Sequence, residues 1–149
     1  MERKELTKEQ AVRLHRDMWL WIAKKIARYK KPMEIGGLKQ IYIRCYTDFD
    51  SVVFGCFACE YAKQKVEEEL KKGHEFFRCR FCPFNWGTSG DEDGNFMCDE
   101  NITDNESGYG LYAKCKGIWY ESLRIGSEKD LYKRQVKLAY KIATLPEKE

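Results

Sequence analysis

The sequence predicts a single small α+β domain, in which two terminal helices pack together over a short β-hairpin and a structural zinc site. Three observations support this prediction. Apolar residues recur at helical spacing near both ends of the chain, and residues 41–46 show the two-residue alternation of a β-strand. Two CxxC pairs follow them in the sequence. The 149 residues suit one domain (1–149). The 43% hydrophobic and 14% aromatic content excludes a chain that is disordered throughout.

A first helix is predicted over about 7–31. Thr7 and Gln10 have the spacing of a capping box, in which each side chain bonds the other residue's backbone N–H. Apolar residues then recur three and four positions apart, as on the core-facing side of a helix: Ala11, Leu14, Met18, Trp21, Ile22 and Ile26. Pro32 and Gly36-Gly37 are expected to end this helix.

A β-hairpin is predicted over about 40–55. Ile41, Ile43 and Cys45 alternate with Tyr42, Arg44 and Tyr46, which is typical of a half-buried strand. Cys45 is therefore expected in the core. A helix is predicted over 60–72, ending at Gly73. The last helix is predicted over about 127–145, before Pro146.

The cysteines predict a structural zinc site. Cys56 and Cys59 form one CxxC knuckle (56–59), and nineteen residues later Cys79 and Cys82 form a second (79–82), a spacing typical of zinc sites. Two such knuckles supply four thiolates in a tetrahedron and leave no open position for catalysis. A redox-active pair at Cys56 and Cys59 and a four-cysteine iron–sulfur cluster are the alternatives.

Two further residues are reserve zinc ligands. Cys98 lies in an acidic loop predicted over 87–108, and His74 lies five residues before Cys79. His15 is expected to be a partly buried residue of the first helix, and Cys115 has no predicted partner.

Several segments together resemble small zinc-knuckle proteins encoded by tailed bacteriophages of Gram-positive hosts. The matching segments are residues 15–23 (HRDMWLWIA), 56–62 (CFACEYA), 79–87 (CRFCPFNWG), Cys98, 110–112 (GLY) and 139–147, which contains IATLP. The resemblance implies a zinc-binding protein that acts inside an infected bacterium. It brings no settled activity with it.

We therefore expect a non-enzymatic accessory binding protein that inhibits or sequesters a host or defence component. Its partner is expected to be a host protein or a small nucleotide. Aromatic side chains dominate interface hot spots, so four aromatics that follow the second knuckle are the candidate binding residues: Trp86, Tyr109, Tyr112 and Trp119.

Nucleic-acid binding is the alternative function. Residues 1–31 carry a net charge of +6, and the basic face over 13–31 is suited to phosphates. Residues 91–106 carry −7, which would repel a phosphate backbone, and the whole chain carries only +3.

The sequence does not predict an enzyme. It contains two histidines and no visible Ser/His/Asp or Cys/His set for nucleophilic catalysis. No segment approaches the ~20 apolar residues that cross a bilayer, and the first residues lack the apolar region of a secretory signal. A cytoplasmic protein without membrane contact is expected, because reduced thiols are available there as ligands.

Overall fold

The computed structural model describes residues 5–49, 56–75, 81–84, 111–125 and 131–147. These ranges contain five helices: α1 (Lys8–Tyr29), α2 (Ile35–Tyr46), α3 (Phe57–Lys71), α4 (Leu111–Ile125) and α5 (Leu131–Ala143). The α+β prediction is therefore wrong, because the described part is 77% helical and contains no strand. Residues 50–55 of the predicted hairpin and the acidic loop 87–108 lie outside the described residues.

Helix α1 begins and ends as its local sequence predicts. Thr7 and Gln10 form the capping box, with hydrogen bonds of 3.0 and 3.1 Å. The helix ends at Lys30, whose φ of 54° is left-handed, two residues before Pro32. One face is buried along the whole length of the helix: Ala11, Val12, His15, Met18, Trp19, Ile22, Ala23 and Ile26.

Helix α2 replaces the first part of the predicted hairpin. The carboxylate of Glu34 caps it by accepting hydrogen bonds from the N–H groups of Gly36 and Gly37. A Cβ on Gly36 would lie 2.7 Å from Oε1 of Glu34, so this glycine gives the cap room rather than ending a helix. Cys45 is exposed on α2, so its predicted place in the core is wrong.

Helix α1 is the centre of the packing. It contacts α2, α3 and α5, and α4 packs against α5. The two terminal helices α1 and α5 thus pack together as expected, but over other helices and not over a hairpin. Within the described ranges, no helix is both long enough and apolar enough to span a membrane.

Two glutamine side chains join connecting segments to the helices. Gln135 of α5, which is wholly buried, accepts a hydrogen bond from the N–H of Met33 (2.9 Å). Its Nε2 donates to the carbonyls of Met33 (2.8 Å) and Cys115 (3.1 Å). Gln64 of α3 pairs in the same way with both backbone groups of Leu6, at 3.0 Å each. Each amide therefore pairs with both backbone groups of a residue that lies outside the helices, Met33 or Leu6.

Candidate functional site

The N-terminus of α3 carries the first predicted zinc knuckle. Cys56 is the N-cap residue and is buried, and Cys59 lies in the first helical turn and is half-buried. The free N–H groups at a helix N-terminus favour negative charge, which suits thiolates. The hydrogen bond with Cys59 and burial raise the pKa of Cys56 to about 12, so this thiol keeps its proton unless a metal ion displaces it.

The second knuckle is described only in part. Cys82 is buried and belongs to the same core cluster as Cys56. Cys79 and the reserve ligand Cys98 lie outside the described residues. In the part of the chain that the structure describes, no three His, Cys, Asp or Glu side chains come close enough together to hold a metal ion. The thiols of Cys56, Cys59 and Cys82 have the chemistry that zinc requires, and zinc stays a prediction.

His15 lies beside this knuckle, which the sequence interpretation did not predict. Its side chain is wholly buried, and its ring centroid is 4.2 Å from that of Phe84, two residues after Cys82. The imidazole lies close enough to Cys56 to lower the pKa of that thiol against the effect of burial. The register of His15 on the apolar stripe of α1, four residues after Ala11, is the signal that could have placed it there.

His74 lies far from the first knuckle. It follows the C-terminus of α3, whereas Cys56 precedes the N-terminus. The fifteen residues of α3 separate the two by about 22 Å, at about 1.5 Å per residue. His74 is exposed, and its Nδ1 is 2.9 Å from Oε2 of Glu69, a contact that lowers the pKa of that carboxyl. The structure thus places this reserve ligand beside Glu69 and away from Cys56.

The predicted binding aromatics take different positions. Trp86 and Tyr109 lie outside the described residues. Tyr112 packs edge-on against Trp19 with ring centroids 5.9 Å apart, so it supports the core. Trp119 is half-buried, and its ring lies 5.0 Å from that of Tyr120.

A buried lysine lies beside Tyr112. Lys39 of α2 is only 4% exposed, and its Nζ lies 3.8 Å from the ring centroid of Tyr112 and 5.4 Å from that of Trp19. Aromatic faces attract a cation, and the attraction is greater where water is excluded. These contacts join α2 to α1 and α4 across the core.

A groove of about 860 Å³ lies between α4 and α5. Five of its lining side chains are cationic and one is a carboxylate, so the lining carries a net charge of +4. The full lining is Lys114, Gly117, Ile118, Tyr120, Glu121, Arg124, Arg134, Lys137, Leu138 and Lys141. We call this surface the α4–α5 groove.

Four of the five cations of the groove are exposed. Arg124, Arg134, Lys137 and Lys141 are exposed, and none of them forms an ion pair with another residue of the described ranges. The basic face that the sequence predicts over 13–31 is on α1, and the α4–α5 groove is not among the predicted surfaces. The spacing of Arg134, Lys137 and Lys141 on one face of a predicted helix was visible, but its pairing with α4 was not.

Comparison with protein-family models, with characterised proteins and with solved structures gives no match, so the functional conclusion depends on the residues of this chain.

Proposed function

We propose that the protein is a non-enzymatic binding protein that captures an anionic partner in the α4–α5 groove. In agreement with the resemblance to phage zinc-knuckle proteins, we place it in the cytoplasm of an infected bacterium as an accessory factor against a host or defence component. The observation that carries the proposal is the convergence of five cationic side chains and one carboxylate on a single concave surface.

The electrostatics of the groove favour binding. Cations on both walls point into the same space, and a concave surface focuses their field more strongly than a flat one does. Their mutual repulsion disfavours the folded chain, and an anion in the groove removes that repulsion. A partner with several negative charges gains most from this arrangement.

We propose that zinc acts only as a structural element. Cys56 and Cys82 are buried in the core cluster that also contains Trp19 and Phe84, whereas the cations of the groove are on α4 and α5. A zinc ion bound by four thiolates has no position left for a substrate. It would fix the start of α3 to the segment around Cys82 and so contribute to folding.

The binding proposal is tested by retention on immobilised heparin, a generic polyanion. The variant Arg134→Glu/Lys137→Glu changes two groove residues, and the control Arg13→Glu/Lys24→Glu changes two exposed cations of α1 by the same charge. We expect the groove variant to elute at clearly lower salt than the control. Equal elution of the two variants would refute the groove as the binding surface.

The zinc proposal is tested by metal analysis of the purified chain. We expect one zinc per chain, and loss of zinc in Cys56→Ser and Cys82→Ser. Cys45→Ser is the matched control, because Cys45 is exposed on α2. A chain without bound metal, or one whose zinc content is unchanged in Cys56→Ser, would contradict the proposal.

A further inference from the structure

We infer that the anionic partner of the α4–α5 groove is single-stranded nucleic acid. This inference rests on the proposed function and adds the chemical class of the partner. Three features of the groove carry it: two rows of cations, an exposed aromatic ring beside them, and the concave shape.

The cations form rows along both walls. Arg134, Lys137 and Lys141 recur three and four residues apart on one face of α5, and the row spans about 10 Å at about 1.5 Å per residue. Lys114 and Arg124 of α4 are ten residues apart, or about 15 Å. A single small anion contacts only part of these rows. A backbone with successive phosphates can contact both along their length.

Tyr120 adds a stacking surface to the charged walls. Its side chain lines the groove and is 56% exposed, although its hydroxyphenyl ring is large and partly apolar. The ring of Trp119 meets it edge-on, with centroids 5.0 Å apart, and so restricts its movement. An unpaired base stacks on such a ring, whereas an acidic peptide has no equivalent flat face in its carboxylates.

The shape of the groove favours an unpaired strand over a duplex. Helical proteins read a duplex by inserting a protruding helix into its major groove. The α4–α5 groove is instead a hollow between two helices, with Ile118 and Leu138 among its lining residues. A single strand can place both phosphates and base faces in such a hollow, because its bases are not hidden in a double helix.

The test is fluorescence anisotropy with a labelled deoxythymidine decamer. For single strands the logarithm of the affinity falls with the logarithm of salt by about 0.7 per phosphate contacted. Contacts by the four exposed cations give a slope of about −2.8, and affinity falls by about 50-fold between about 50 and 200 mM salt. Arg134→Gln/Lys137→Gln leaves two of these contacts, so we expect a slope of about −1.4 and a loss of about 7-fold over the same range.

Stacking is tested separately. Tyr120→Ala is expected to weaken binding about tenfold, since base stacking contributes about 1–3 kcal/mol per base. Tyr46→Ala is the matched control, because Tyr46 is 59% exposed on α2 and does not line the groove. Equal affinities of the two variants would contradict the role of Tyr120.

Competition experiments separate failure of this inference from failure of the proposed function. We expect an unlabelled decamer to displace the probe at far lower concentration than tripolyphosphate, polyglutamate or a matched DNA duplex. If any of these competes as well as the decamer, the inference is wrong and the anion-binding function stands. If none of these anions binds the chain at low salt, both the inference and the proposed function are wrong.

Discussion

Replacing Gln135 with alanine would remove three hydrogen bonds from the centre of the fold in one step. The amide of Gln135 bonds both backbone groups of Met33 and the carbonyl of Cys115, and its side chain is wholly buried. Truncation therefore leaves one N–H and two carbonyls without this partner, in a place that water does not reach easily.

The magnitude follows from these bonds. Each intramolecular hydrogen bond contributes about 1 kcal/mol net, so the loss in unfolding free energy is about 3 kcal/mol. For a chain of this length each kcal/mol shifts Tm by about 2–4 °C, which predicts a fall in Tm of about 6–12 °C. Gln64→Ala loses two bonds at a half-buried site and is expected to cost about 1 kcal/mol.

Thermal melting followed by far-UV circular dichroism compares the two variants directly. Gln135→Leu is a useful third variant, since it fills most of the space without the hydrogen bonds. We expect it to be destabilised nearly as much as the alanine variant. A Gln135→Ala chain that melts at or above the temperature of Gln64→Ala would refute the reasoning, because burial and bond number would then not decide the cost.

Three further predictions concern titration and metal. Burial raises the pKa of Cys115 from 9.0 to about 12, so we expect iodoacetamide to modify exposed Cys45 readily in the native chain and Cys115 only after unfolding. The thiol of Cys115 ionises at lower pH in the unfolded chain than in the folded chain. Its contribution to the free energy of unfolding is therefore complete below about pH 9 and decreases progressively above it. For Gln135→Glu we expect the difference in Tm from wild type to become smaller as pH falls toward about 4. Burial raises a carboxyl pKa, and only the protonated acid can donate to a carbonyl. A difference in Tm that does not change with pH would contradict this. Removal of metal by a chelator is expected to lower the Tm of the wild-type chain and leave that of Cys56→Ser unchanged, as measured in parallel melts.

Helix α1 was predictable because its signals are local. The capping box at Thr7 and Gln10 and the apolar stripe lie within the helix itself, and the structure contains both. The same stripe includes His15, so its position in the sequence already predicts that it is buried. That it lies beside Cys56 depends on how α1 packs against α3 and is not visible in the sequence.

Helix α2 was mispredicted because one local pattern fits two structures. Ile41, Ile43 and Cys45 alternate as in a strand, but only Ile43 of these is buried, together with Ile35, Leu38 and Tyr42, which recur at helical spacing. Gly36 and Gly37 are typical of a helix end, but here both lie in the first turn of α2 and donate their N–H groups to the Glu34 carboxylate.

The two lone cysteines lie on the two helices that the sequence analysis does not predict, α2 and α4. Cys45 was expected in the core and is exposed, whereas Cys115 had no assigned role and is buried. The burial of Cys115 follows once residues 111–125 are a helix, because it is then three residues before buried Ile118 on the same face. The α4–α5 groove was beyond sequence reasoning for a similar reason, since it exists only where the two helices meet.

Arg134 and Gln135 are neighbours in the chain but have different surroundings on α5. Arg134 lines the groove, while Gln135 is anchored in the interior to the α1–α2 connection and to α4. A wall anchored at several points has little freedom left to lose when a ligand orders it, and this lowers the entropic cost of association. The rigidity of the proposed binding surface thus depends on an uncharged side chain that does not line it.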